Sequence, residues 1–518
     1  MEWSITLLHI WNFIKEWYWV PLTVLYIMVI VTILIENRNP TKTIAWILVI
    51  VTILIENRNP TKTIAWILVI VFLPFIGIIL YFFFGQKFKK DEFFKRIDKN
   101  HQKIINEKWA EMDQFVHDDL DKVNARIGSL SQVYRYLNNA RVAYPATNNK
   151  VKLLTNGEEK FPLFLEALRE AKNHIHLEYY IFDEDHIGNE IIDILIEKAK
   201  NGVEVRVTAD DFGSSKLNKH HSRFDGTGVE FQTFLPVRFS SLANSNYRNH
   251  RKILIVDGKK AFLGGINISD KYINQNGVIS PNNKIYWRDT SVMIEGDSIN
   301  SLQLHFYLNW MMTEGKKYNI SDSNYFYNSQ SKIFEDAATV SFGLSSPGSD
   351  VHSAMEAMIL AITLAKKKVQ LCTPYFIPSD EFKTAMMIAV SSGVEVELII
   401  PKKGDSIVVQ QASLSFLKPL MKRGVKVYLY EKGFIHAKTI TVDDKLAFIG
   451  TVNLDYRSFM INFEITSVIE NATLLQQMSA QFDIDKEDSE LLTIEKWENR
   501  PWYNRAFASI CRLLAPVL

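Results

Sequence analysis

Two stretches of this chain carry the same polar residues at the same intervals. "NHRKILIVDGKKAFLGGIN" begins at Asn249 and "IHAKTITVDDKLAFIGTVN" begins at Ile435. Aligned, they set His250, Lys252, Asp257, Gly264 and Asn267 opposite His436, Lys438, Asp443, Gly450 and Asn453. Both copies read H-x-K, four residues, Asp, six residues, then G-[G/T]-x-N. In a strand, residues i and i+2 share a face, so imidazole and ammonium project together. A turn follows at "VDGKKA" or "VDDKLA". The next strand has small residues that permit close backbone approach, and it delivers an Asn amide donor. A neutral imidazole beside a fixed cation and amide donors suits attack on a phosphoryl group. Two such units supply a nucleophile and a general acid for opposite sides of one phosphorus. A single H-x-K is commonplace on a packed or exposed strand, whereas two identically extended copies are not.

The elements around the motifs repeat as well. "HIHLEYYIF" from His174 reads as a strand, "NEIIDILIEKAKNG" from Asn189 as a helix with a Gly stop, and "VEVRVTAD" from Val203 as a strand. About 190 residues on, "AKKKVQLCTPYFIPSDEF" and "KTAMMIAVSSGVEVELII" repeat this alternation, so that "GVEVRV" at Gly202 answers "GVEVEL" at Gly393. The copies keep pattern rather than identity, as expected of an old two-lobed α/β fold with mixed sheets. His174, His176 and His305 sit in apolar strand or helix patterns and read as structural.

Charge is balanced, 59 basic against 58 acidic residues, so no global basic field points to nucleic acid. Two cysteines, Cys372 and Cys511, exclude a disulfide framework, and no Cys/His cluster suggests a metal. Apolar residues concentrate at the start, in Trp17–Ile35, Ile44–Ile55 and Ile64–Phe84. As helices the outer two reach roughly 28 to 32 Å, enough for a bilayer core, and the middle one only about 18 Å. "VTILIENRNPTKTIAWILVI" occupies Val31–Ile50 and recurs without a change at Val51–Ile70. Such identity reads as a recent duplication, not as an architectural repeat. It is expected to lengthen the turn of a two-span hairpin. Lys87, Lys89, Lys90, Lys95 and Arg96 follow the last segment, which puts that flank and the lobes in the cytoplasm.

The paired motifs resemble the HKD motifs of the phospholipase D superfamily, and the wider layout is similar to that of bacterial cardiolipin synthases. "HLEYYIF", "DDFGS" from Asp210, "WRDTSVMIEG" from Trp287, "TPYFIP" from Thr373 and "GTVNLDYRSF" from Gly450 add to the likeness, which runs from Val151 to the C-terminus. The resemblance implies two pseudo-symmetric lobes of mixed sheet flanked by helices, behind an N-terminal transmembrane hairpin. It also implies one active site between the lobes, without metal or other cofactor. His250, Lys252, Asp257, His436, Lys438 and Asp443 form the catalytic set it implies. By position, one histidine attacks phosphatidylglycerol to give a phosphohistidine and the other protonates departing glycerol. His250 is the favoured nucleophile. Lys252, Lys438, Asn267 and Asn453 would hold phosphate oxygens, and Asp257 and Asp443 would brace the motifs rather than touch substrate. Asp289 and Glu464, beyond the first and second motifs, would orient the imidazoles.

The expected organisation is an anchor over 1–86, a charged helical connector over 87–150, lobes over 151–330 and 331–485, and a tail over 486–518. That tail, "RPWYNRAFASICRLLAPVL", reads equally as an interfacial helix meeting anionic lipid or as a helix packed on the domain. The expected activity is transfer between two phosphatidylglycerols at the bacterial inner membrane. A hydrolytic phospholipase D, or a transferase using another alcohol, shares every motif residue. A nuclease lacks its basic groove here, and a dead lipid-binding scaffold is expected to have lost a motif residue.

Overall fold

A computed structural model of the chain describes residues 51–54, 60–81, 85, 103, 106–110, 116–236, 246–274, 285–313, 325–326 and 333–515. Each motif folds as a tight hairpin. At Asp257-Gly258 and at Asp443-Asp444 both turn residues have positive φ (+53°, +62° and +55°, +52°), the two-residue geometry that matches strand twist. These hairpins sit in corresponding places in a long mixed sheet.

The first half contributes β1 (Ala146–Thr155), β2 (His174–Tyr179), β3 (Glu204–Asp210), β4 (Val229–Phe234), β5 (Lys252–Val256), β6 (Lys260–Gly264) and β7 (Thr290–Gly296). The second contributes β8 (Ala338–Ser345), β9 (Lys368–Cys372), β10 (Glu395–Pro401), β11 (Lys426–Tyr430), β12 (Thr439–Val442), β13 (Leu446–Gly450), β14 (Glu464–Glu470) and an extra edge strand, β15 (Ser489–Leu492). Their order is β4-β3-β2-β5-β6-β7-β1-β8-β14-β13-β12-β9-β10-β11-β15. Read outward from the centre, each half is the other repeated, β1 matching β8 through to β7 matching β14. Strands β2, β3 and β4 are parallel, as are β9, β10 and β11, while β5–β7 and β12–β14 are antiparallel.

The sequence predicts two mixed sheets. The structure instead joins them into one fifteen-stranded sheet, through a short β1–β8 pairing with a register shift between Ala146 and Asn149. A shared core explains the merger. Ile253, Ile255, Leu263, Val292 and Ile294 from one half form a single buried cluster with Val340, Phe342, Ala447, Ile449 and Ile465 from the other.

Local signals position the helices. Helix His186–Lys200 is capped by Asp185, which accepts from Gly188 N, and it buries Ile187, Ile191, Ile192 and Leu195. Gly202 and Gly393 then turn the chain into β3 and β10 at φ +87° and +89°, where an L side chain is strained.

One stretch differs from expectation. Part of the supposed solvated connector is packed. Helices Val116–Ile127 and Ser131–Asn139 bury Leu120, Val123, Ile127, Val133 and Leu137 in the second half's core. Their charged faces hide an apolar stripe of helical spacing. The tail packs as well, since helix Trp502–Leu513 lies against helix Ile407–Arg423, and Phe88–Leu518 forms one compact unit.

Met1–Lys87 forms the other unit. Its third apolar segment is not one straight helix. Helix Pro60–Phe72 ends at Leu73, and a second helix, Pro74–Leu80, starts on a proline that lacks the N–H a continuous helix needs. Gly77 lies so near Val69 and Ile70 that a Cβ would sit 2.7 Å from Val69 O. Among the described residues no helix is long and apolar enough to cross a membrane. The first apolar segment, most of the second, and the first copy of the duplication lie outside the described residues.

Candidate active site

Both motif histidines stand just before their strands, where the chain crosses to the other half. The backbone makes this crossing symmetrically. His250 N donates to Phe463 O at 2.9 Å and His436 N to Arg288 O at 2.6 Å. Residues Gly433–Ile435 also pair in parallel with Tyr286–Arg288, and Asn249 bridges Phe463. Each histidine is thereby laid against the strand that carries the other half's carboxylate.

The carboxylates expected to orient the imidazoles meet them crosswise. His250 Nδ1 lies 2.9 Å from Glu464 Oε2, and His436 Nδ1 lies 2.6 Å from Asp289 Oδ2. Both carboxylates are wholly buried, and the histidine side chains are 12% and 9% exposed. Burial pushes Glu464 and Asp289 up, but the nearby histidines and lysines outweigh it and hold both below the usual carboxylate range. Ionised carboxylates only accept, so Nδ1 carries a proton on each ring and Nε2 keeps the free lone pair.

Burial pushes the histidines down, to about 4 for His250 and about 3 for His436, although Glu464 and Asp289 each oppose it. His250 also feels Lys438, and His436 feels Lys252, so the two halves share one electrostatic site. Lys252 Nζ donates to His250 O at 2.6 Å, and Lys438 Nζ donates to His436 O. Burial depresses both ammonium groups while Glu464 and Asp289 oppose it. A phosphate anion between them would restore the charge that burial penalises.

The two Asn residues part company. Asn267 is engaged at both ends, accepting from Ile181 N at 3.2 Å and donating to Tyr272 Oη at 2.6 Å. Asn453 Oδ1 is buried with no partner among the described residues. Asp257 and Asp443 stand at the far ends of the hairpin strands, roughly 20 Å from their histidines at strand rise. Asp257 accepts from the backbone N–H groups of Lys172, Asn173 and His174 at 2.7–2.9 Å. Asp443 does the same for Lys366, Lys367 and Lys368 at 2.7–3.0 Å. These bonds tie each hairpin turn to the start of β2 or β9, the bracing place expected of the two residues within the motif set.

Several residues beyond the histidines, lysines and carboxylates complete the site. Tyr180 sets its ring 4.8 Å from that of His250, while Trp287, Phe434 and Tyr272 surround His436 at 5.5, 5.8 and 6.1 Å. Thr451 Oγ1 donates to Glu464 Oε2 at 2.6 Å. Its counterpart Gly265 leaves room for Asp289, whose Oδ1 would lie 2.1 Å from an added Cβ. Lys160, 1% exposed, donates to Ile266 O at 2.6 Å among the rings of Phe161, Phe164 and Tyr179. Burial lowers it to about 7, opposed by Asp289. The [G/T] position hints at Thr451, but only the fold brings Lys160 beneath the motif.

A family model described as "Cardiolipin synthase, PLD-like domain" matches residues 164–286 and 358–486, and one described as "Phospholipase_D-nuclease N-terminal" matches 49–86. A "Cardiolipin synthase" of Halalkalibacterium halodurans is 36% identical, over 96% of this chain and 93% of its own. The chain belongs to the cardiolipin synthase family. A "Major cardiolipin synthase ClsA" of Bacillus subtilis is 34% identical over 86% of this chain and 92% of its own. Among solved structures, a phosphatidylserine synthase of Haemophilus influenzae superposes with a TM-score of 0.56 at 16% identity, covering 75% of this chain and all of its own. That likeness concerns the fold. The crosswise histidine–carboxylate pairs are therefore those of a cardiolipin synthase chain.

Proposed function

We propose that this cardiolipin synthase, a phosphatidyltransferase, joins two phosphatidylglycerols through a phosphohistidine on His250. The observation that carries the reading is the crosswise pairing, which leaves two Nε2 lone pairs and two lysines in one site. Neutral His250 attacks phosphorus through Nε2, and the bond from phosphorus to the glycerol oxygen breaks. Glycerol leaves with a proton from His436 Nε2, whose charged form is favoured once the substrate anion offsets Lys438 and Lys252. His436, now neutral, takes the proton from a hydroxyl of the second phosphatidylglycerol. That oxygen displaces His250, and cardiolipin forms with both histidines restored. Lys252, Lys438 and the amide of Asn453 would hold the equatorial phosphate oxygens, as oxyanion donors do.

We also read the N-terminal segment as the bilayer anchor. The length of Trp17–Ile35, the apolar character of Ile64–Phe84 and the lysine-rich flank after Phe84 support a two-span hairpin with cytoplasmic lobes, its second apolar segment broken at Pro74. Vesicles of phosphatidylglycerol provide the test. The expected products are cardiolipin and free glycerol in equal amounts, each falling by more than about 10³-fold in His250→Ala and His436→Ala. Phosphatidic acid in place of cardiolipin would make the enzyme a hydrolase, and no product at all would refute the catalytic reading.

A further inference from the structure

Helix Trp502–Leu513 is built of three stripes. Ala508 and Cys511 are buried, and the helix runs back along helix Ile407–Arg423. Glu498, just before it, pairs with Lys418 at 2.8 Å, while Cys511 near its end clusters with Ala412, Ile377 and Val408. The second stripe is apolar and open: Tyr503, Phe507, Ile510 and Leu514 follow helical spacing and are 42–60% exposed. Trp502 and Leu513 flank it at 73% and 77%. The third holds Arg505 and Arg512, both exposed, and no carboxylate occurs from Asn499 to Leu518.

The Cys511 end of this surface lies on the side of the second half where His436 stands. Parallel strands β9 and β10 end where His436 stands, and helix Ile407–Arg423 begins beyond that end of β10. Tyr375 ties the two, its ring 6.4 Å from Phe434 and its hydroxyl donating to Asp405 at 2.6 Å. Ile407, which opens the helix, is 70% exposed, and Phe212, beyond the matching end of β3, is 73% exposed. Large apolar side chains thus stand out at the histidine end of both halves. A domain facing only water would bury such a stripe.

We propose that helix Trp502–Leu513, with Ile407, is a second bilayer contact that seats the active-site mouth on an anionic lipid surface. Two exposed arginines on a helix that carries no carboxylate match lipid phosphates, and Trp, Tyr and Phe beside them suit the headgroup boundary. The choice of lipid over protein rests on the function proposed above, whose substrates are both lipids.

The test uses the full chain in phosphatidylglycerol-containing nanodiscs. A bimane label is placed at Ile510→Cys, with Ile388→Cys as the control, since Ile388 is 52% exposed on helix Asp380–Ser391. Lipid brominated on its chains should quench the label at 510 about two-fold or more and leave the label at 388 unchanged. Aqueous iodide should do the reverse. A label at 510 open to iodide and untouched by brominated lipid would overturn the proposal. So would one shielded from both, which would mark a protein partner. Ile510→Glu with Leu513→Glu should raise the apparent KM in surface-dilution kinetics several-fold at unchanged kcat; an unchanged KM would count against the contact. If the unsubstituted enzyme made no cardiolipin, the function reading would fail while the quenching still decided the contact.

Discussion

The two half-sites share a backbone and differ in what fills it. His250 faces a Glu that is held by Thr451, with one ring, Tyr180, at 4.8 Å. His436 faces an Asp pressed against Gly265, within a cage of Trp287, Phe434 and Tyr272. A pseudo-two-fold alone would make the histidines interchangeable. The asymmetry supports a division of labour, with the less enclosed imidazole forming the covalent bond and the caged one moving the proton.

The largest effect should therefore come from separating the histidines. Quenching in detergent at mildly alkaline pH, which preserves the acid-labile phosphorus–nitrogen bond, during turnover of phosphorus-labelled phosphatidylglycerol should leave label on the protein in His436→Ala and none in His250→Ala, with cardiolipin lost by more than about 10³-fold in both. Label retained only in His250→Ala would reverse the assignment.

Next come the carboxylates. Glu464→Gln and Asp289→Asn should each cost about 10²- to 10⁴-fold, because the amide no longer fixes the tautomer or supports the imidazolium. The pH profiles carry a sign. Glu464 raises His250, so its loss should move the acid limb of covalent-intermediate formation below the value of about 4 set by His250. An acid limb shifted upward would show that Glu464 acts otherwise.

A sharper comparison uses one aligned position. Gly265→Ala drives a methyl into Asp289, and a displaced imidazole should cost about 10²-fold. Thr451→Val removes one hydrogen bond to Glu464 and should cost no more than about ten-fold. Steady-state kcat in vesicles measures both, and equal losses would erase the difference between the half-sites.

The hairpin braces should behave alike. Asp257→Ala and Asp443→Ala each strand three backbone N–H groups and force alanine into a left-handed conformation. Each should lower unfolding stability by about 2–4 kcal/mol, read from urea titration, with a smaller effect on kcat.

Much of this arrangement was legible beforehand, for reasons that differ by residue. The H-x-K spacing and the answering "GVEV" strands are local patterns that the repeat makes visible, whereas Asp289 and Glu464 stand 22 and 11 residues beyond their motif Asn residues and came from the family resemblance alone. What the pattern lacked was who meets whom. Nothing near Glu464 in sequence says that it serves His250, 214 residues away, because that pairing is made by the crossing of the chain between halves. The fused sheet was equally hidden: whether β1 and β8 pair depends on a core assembled from both halves. The packed helices before Ala146 were obscured by their charge, since an apolar stripe on a polar helix declares itself only when a partner face exists.

The smallest expected effect separates two structural histidines on one strand. His176 Nδ1 meets Gln303, and its ring stacks on Phe306 at 4.5 Å. Both ring nitrogens of His174 are buried with no hydrogen-bond partner among the described residues, and burial drives its pKa down to about 2. A depressed histidine contributes stability in full above its ordinary value near 6.5 and loses it as pH falls toward the folded value. His174→Leu removes two unpaired polar atoms, so it should stabilise the fold by about 1 kcal/mol at pH 7.5. The gain should grow by about 2 kcal/mol at pH 5, where the unfolded wild-type chain gains a proton that the buried ring refuses. His176→Leu, which breaks satisfied contacts, should destabilise at pH 7.5. Urea titrations at the two pH values decide it: a His174→Leu variant less stable than wild type at pH 5 would mean that this ring has a partner the fold depends on.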